Sequence, residues 1–208
     1  MHISEGVLSA PILLSGVALS LTGTAIGLKN MDYDKIAHAG ILSAAFFVAS
    51  LIHINIGPVS VHLILNGIIG LLLGWIAFPV ILVALILQAV FFQFGGLIVL
   101  GVNTVIMAIP AIICYYLFGS MIKKNHLISM FASFACGFLS VFLSAVFLSA
   151  SLLFTQENFW KISILIIMTN FPTMIIEGII TTFCIAFLKK VHPTIQFGSK
   201  LNLKGIKQ

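Results

Sequence analysis

Seven apolar stretches separated by short polar connections leave this chain few ways to fold. A hydrocarbon core of about 30 Å takes roughly 20 apolar residues as an α-helix, and somewhat fewer where neighbouring helices shield the span. Stretches at about 7–28, 36–54, 59–73, 76–94, 100–122, 127–154 and 162–188 meet that requirement. Charge is too sparse to solvate a soluble domain of this size: of 208 residues, 61% are hydrophobic and 7% charged. The expected fold class is therefore all-α, a polytopic membrane protein of seven transmembrane helices. It forms one transmembrane domain over residues 1–190, followed by a polar tail over 191–208. The third stretch is the shortest. Its glycines Gly67, Gly70 and Gly74 and its polar Ser60, His62 and Asn66 suit a helix buried among others rather than one facing lipid.

Lysine placement sets the orientation. Lys29 and Lys35 flank the first connection, Lys123 and Lys124 the fifth, and Lys189, Lys190, Lys200, Lys204 and Lys207 the carboxyl end. With seven spans these clusters share one face, which the positive-inside rule makes the cytoplasm; the amino terminus then lies outside a cytoplasmic, or inner, membrane. The net charge of +5 thus reports topology, and no nucleic-acid partner is expected. Residues 1–6 hold no Lys or Arg, so a signal peptide's basic n-region is missing, and the bulk of His2 is expected to keep Met1 in place. Cys114, Cys136 and Cys184 lie in apolar runs without C-x-x-C spacing and read as packing residues.

The opening "MHISEG" carries chemistry of its own. The α-amine of Met1, the backbone amide of His2 and a ring nitrogen of His2 can close fused five- and six-membered chelate rings around one ion. The amine gives up its proton readily near neutral pH. Ni(II) or Cu(II) can also displace the amide proton as the ring closes. Three nitrogens leave one corner of a square plane, a geometry diagnostic of Cu(II) or Ni(II). His62, expected in the first turn of the third span at its outer end, is the candidate for that corner.

Together with "MHISEG", the stretches "GPVSVHLILNGIIGLLLG" at 57–74, "LVALILQAVFFQFGGLIVLGVNT" at 82–104 and "MIIEGIIT" at 174–181 resemble the CbiM/NikM family. Its members are the substrate-binding membrane subunits of energy-coupling-factor transporters for cobalt and nickel. The resemblance runs over essentially the whole chain. It implies a six-helix core with an extra amino-terminal helix that holds the terminus in the site, and Met1, His2 and His62 as the metal ligands. The implied partners are a transmembrane coupling protein and a pair of cytoplasmic ATPases, with a small accessory membrane subunit as a further candidate. Delivery would follow from toppling of the bound subunit in the bilayer. The run "VHLILNG" is more similar to the nickel-type branch than to the "SHPTGTG"-like stretch of cobalt members. Ni(II) is the favoured transported substrate, and Co(II) the alternative.

Ligand imidazoles pass their second N–H to an acceptor that fixes tautomer and angle. Gln93 and Asn103, flanking the "FGG" connection, lead the candidates for that supporting shell, followed by Asn66, one helical turn beyond His62, and Gln88. Amides in membrane helices also serve as helix-to-helix glue. Glu177 is the one acid deep in a span, expected too far inward to touch an ion at the level of His62 and assigned to packing or to signalling of occupancy. Glu5 is a candidate to order the terminus. His38, His126 and His192 read as interface residues, and His53 as interface or part of a route inward. The chain lacks the GxxxxGK[ST] phosphate loop, so ATP energy has to come from partners. A self-sufficient channel or secondary transporter would favour several midplane charges and internal repeats. An intramembrane enzyme would need a nucleophile and base in a context such as GxSxG. Neither pattern is present, and the protein is not expected to be an enzyme.

Overall fold

The computed structural model describes residues 3–56, 59–155 and 160–191. In chain order the elements are α1 (Ala10–Lys29), α2 (Tyr33–Ala49), β1 (His53–Ile56), β2 (Val59–His62), α3 (Asn66–Leu73), a 3-10 turn (Gly74–Ile76), α4 (Ala77–Phe92), α5 (Leu100–Ile122), α6 (His126–Leu153), α7 (Trp160–Thr169) and α8 (Phe171–Val191). The expected polar tail lies outside the described residues from 192 onward.

Helix α1 docks through small residues. Its buried positions are Gly16, Ser20, Gly23 and Gly27, while Leu14, Leu19, Leu21 and Leu28 face outward. Gly16 lies against the backbone of Val102 in α5, and Gly23 and Gly27 lie against Phe78 and Pro79 in α4. Lipid tails offer helices no hydrophobic drive to associate, so close backbone approach along such a seam supplies the packing energy. A Cβ on Gly16 would stand 2.9 Å from the Cα of Val102, so a larger residue there displaces α1. The buried face of α6 is rich in hydroxyls: Ser133 and Ser144 turn back onto its own carbonyls, donating to Ser129 O and Ser140 O at 2.7 and 2.9 Å, while Ser149 donates across to Ser163 O of α7 at 3.2 Å. In this way the helix keeps polar side chains inside the bundle without orphaned donors.

The helix expected over residues 59–73 is instead half of a hairpin followed by a half-helix. Strands β1 and β2 pair antiparallel in the register His53↔His62, Ile54↔Val61, Asn55↔Ser60 and Ile56↔Val59. Helix α3 starts only at Asn66. The side chain of Asn66 donates to Met107 O at 3.1 Å and to Ser144 Oγ at 3.0 Å, Gly70 abuts Ala111, and Gly74 faces Tyr115. The sequence of contacts Met107, Ala111 and Tyr115 makes α3 run alongside α5 from the middle of the bundle toward the end that carries Lys123 and Lys124. Non-helical backbone at that depth is tolerated only inside protein; His62 and Ile64 ahead of α3 are buried, and so are Asn66–Leu71 within it. Gly74, at φ +56°, then turns the chain into α4.

Two other expected boundaries shift. Helix α2 stops at Ala49, short of the expected residue 54, and the span over 162–188 breaks at Asn170 into α7 and α8. Among the described residues, five segments are long and apolar enough to cross a membrane: Ala10–Lys29, Asn66–Phe92, Leu100–Ile122, His126–Leu153 and Trp160–Val191. A shorter apolar helix covers Lys35–Ala49. The all-α polytopic membrane fold stands, with the third pass built from strand, loop and half-helix.

Candidate metal centre

Met1 and His2 lie outside the described residues, and the residues that follow them are anchored at three points. Ile3 is buried, and its backbone is clasped by one side chain: Ile3 N–H donates to Asn103 Oδ1 at 3.1 Å, and Asn103 Nδ2 donates to Ile3 O at 3.2 Å. A primary amide can satisfy a donor and an acceptor of one peptide segment at once, as a neighbouring strand would. Glu5 Oε1 accepts the Ile98 N–H at 3.0 Å, with its carboxylate lying over Gly96 at φ +102°. Even a methyl group on Gly96 would collide with that carboxylate. Finally, Ser9 N–H donates to Thr155 Oγ1 at 3.3 Å, just before α1 begins.

His62 closes strand β2 and is buried at 5% exposure. Its Nδ1 lies 2.9 Å from Leu63 O. A carbonyl can only accept, so this contact puts the ring proton on Nδ1 and makes Nε2 the nitrogen that carries the lone pair. His62 therefore sits four residues before α3, not in a first helical turn, and Asn66 is not stacked beneath it on a shared helix.

Helix α5 brings these two segments together. Asn103, which clasps Ile3, and Met107, whose carbonyl receives Asn66, are four residues apart on α5 and so lie on one face, separated by about 6 Å of helical rise. Ile3, Ile64, Ile106 and Met107 belong to the same apolar cluster. The terminal segment and the segment that joins His62 to α3 thus share one helix face, one turn apart.

The other candidates are placed differently. Gln88 is fully buried and donates to Ser50 Oγ at 2.8 Å, joining α4 to the end of α2. Its Oε1, like Asn66 Oδ1, is buried without a hydrogen-bond partner among the described residues. Gln93 caps α4 in the left-handed conformation, φ +57°, and is exposed. His38 and His126 are exposed, and His192 lies outside the described residues. Among the described residues, no group of three or more His, Cys, Asp or Glu side chains gathers as a metal site.

Glu177, expected too far inward to touch an ion at the level of His62, lies against the loop that follows His62. It is fully buried, and its Oε1 accepts from the backbone N–H groups of both Ile64 and Leu65, two and three residues past His62. The hairpin and loop reach down to its level. An acid alone in a span was the available signal.

Comparison with known proteins agrees with this architecture. A Haemophilus influenzae protein named for metal transport is 39% identical over 94% of this chain and 96% of its own length. A fused nickel transport protein, NikMN, of Rhodobacter capsulatus is 32% identical over 115 residues, 52% of this chain and 33% of that protein. A truncated transition metal transporter of known crystal structure superposes with a TM-score of 0.72 at 25% identity, covering 91% of this chain and 99% of the other. The model of the CbiM family, described as the cobalt uptake substrate-specific transmembrane region, matches residues 2–195, and the chain belongs to that family.

Proposed function

We propose that this chain is the ion-binding subunit of a nickel uptake system, gripping Ni(II) outside the cytosol through the Met1 α-amine, the His2 amide and ring nitrogens, and His62 Nε2. The observation that carries this reading is the shared face of α5, on which Asn103 holds the residue next to His2 and Met107 receives the entrance to α3. Covalent geometry keeps Met1 within about 8 Å of the Cα of Ile3, since each residue adds 3.8 Å. Four nitrogens in a plane suit Ni(II), and a nickel transport protein is similar over 52% of this chain. Co(II) is the alternative substrate, consistent with the family description.

The subunit would sit in the cytoplasmic membrane with its amino terminus outside and its lysine-rich ends inside, and would draw energy from a transmembrane coupling protein and a pair of ATPases. Helix α2 offers such a partner a smooth exposed surface at Gly40, Ala44 and Ala45. The test is metal competition on the purified subunit. Ni(II) should displace Co(II) by at least about tenfold in affinity, following the ordering of divalent ions on nitrogen ligands. Tighter Co(II) binding would assign the chain to cobalt.

Replacement of Asn103 by Ala should release the backbone of Ile3 and lower Ni(II) affinity by about 10–100-fold, the usual effect of removing a group that orients ligands. Calorimetric titration checks this, and an affinity equal to the parent's would dissociate the clasp from the metal site.

A further inference from the structure

We infer that Glu177 is the positioning residue for His62, acting by the reach of its Oε1 into the loop before α3. The inference deepens the proposed metal site and rests on it for its affinity readout. The starting point is a problem of buried backbone. The loop before helix α3 lies inside the bundle, so the N–H groups of Ile64 and Leu65 need a partner within the protein. The residue before it, Leu65, adopts φ +55°, which L-residues rarely take. One carboxylate oxygen, donated by a helix more than a hundred residues away in sequence, meets both needs by accepting from Ile64 and Leu65 N–H. Its position is fixed in turn by close helix contact, because a Cβ on Gly137 of α6 would meet the Glu177 backbone carbonyl at 2.4 Å and Thr181 Oγ1 at 2.5 Å. With Asn66 held by α5 and α6, the loop from His62 to α3 is pinned from three helices. The Leu63–Ile64 peptide group, whose N–H Glu177 accepts, is also the one whose carbonyl lies 2.9 Å from His62 Nδ1, so the carboxylate fixes the acceptor that orients the ring.

Two substitutions separate reach from charge. Glu177→Gln keeps an acceptor oxygen at the same distance. Its amide nitrogen takes the place of Oε2, which has no hydrogen-bond partner among the described residues, so the exchange breaks no existing bond. Glu177→Asp keeps the carboxylate but shortens the arm by one methylene. The inference predicts that the Asp variant loses about 10–100-fold in Ni(II) affinity while the Gln variant stays close to the parent. In the metal-free protein, hydrogen exchange at the Ile64 and Leu65 amides should accelerate in the Asp variant and not in the Gln variant. The reverse ranking, or unchanged exchange at both amides in the Asp variant, overturns it. Exchange is read without metal, so a failure of the metal site itself, seen as parent binding that ignores blockage of the amino terminus, is distinguished from a failure of this inference.

Discussion

Acetylating the amino terminus, or adding two residues ahead of Met1, should weaken Ni(II) binding by about a thousandfold, some 4 kcal/mol, while thermal unfolding in detergent is unchanged. Acetylation converts the amine into an amide and removes the first chelate ring at its origin. An extension moves the amine away, and the chain cannot slide to compensate. Ile3 is clasped by Asn103, Glu5 is bonded to the Ile98 amide, and Ser9 is bonded to Thr155, so the register of the first residues is set by side chains and backbone together. Two residues are specified for a chemical reason. A single added residue would make His2 third from a new amine, and a terminal amine, two amides and an imidazole in that spacing form a four-nitrogen set of their own. Affinity that survives acetylation would show that the α-amine is not a ligand.

Replacing His62 by Ala should cost about a hundredfold in affinity, roughly 3 kcal/mol. It should also shift the visible absorption of bound Cu(II) to lower energy as an oxygen donor takes the vacant corner. Added imidazole should recover part of both. That recovery matters because His62 is buried at the end of a strand and its loss could also act through packing. A free imidazole refills a coordination position but does not repair a hairpin. Unchanged affinity in the Ala variant would remove His62 from the site.

The sequence made most of the bundle legible because the spans of α1, α4, α5 and α6 are long uninterrupted apolar runs, for which a lipid-crossing helix is the economical solution. The third pass was misread although a signal was present. His53, Ile54, Asn55 and Ile56 alternate polar and apolar, as do Val59, Ser60, Val61 and His62, on either side of the dipeptide Gly57–Pro58, which is the period and punctuation of a hairpin. A count of apolar residues absorbed that pattern into a span. The break between α7 and α8 had a comparable marker in Asn170 and Pro172. Glu177 could not be placed from sequence, since its proximity to Ile64 and Leu65 depends on how far the hairpin and its loop descend between α5, α6 and α8. Asn103 was singled out for standing near the outer connection. That it clasps the backbone of Ile3 is a matter of side-chain geometry with no trace in composition or spacing.

The central claim is that a terminal amine, its neighbouring imidazole and the ring of His62 converge on one ion. Electron paramagnetic resonance of the Cu(II)-loaded protein, with nitrogen-15 placed only in histidine rings, tests it most directly. The account predicts superhyperfine structure from four in-plane nitrogens, two of them altered by the label, falling to one altered nitrogen in His62→Ala and losing the amine contribution on acetylation. A signal from mixed oxygen donors, or one indifferent to both changes, would contradict it.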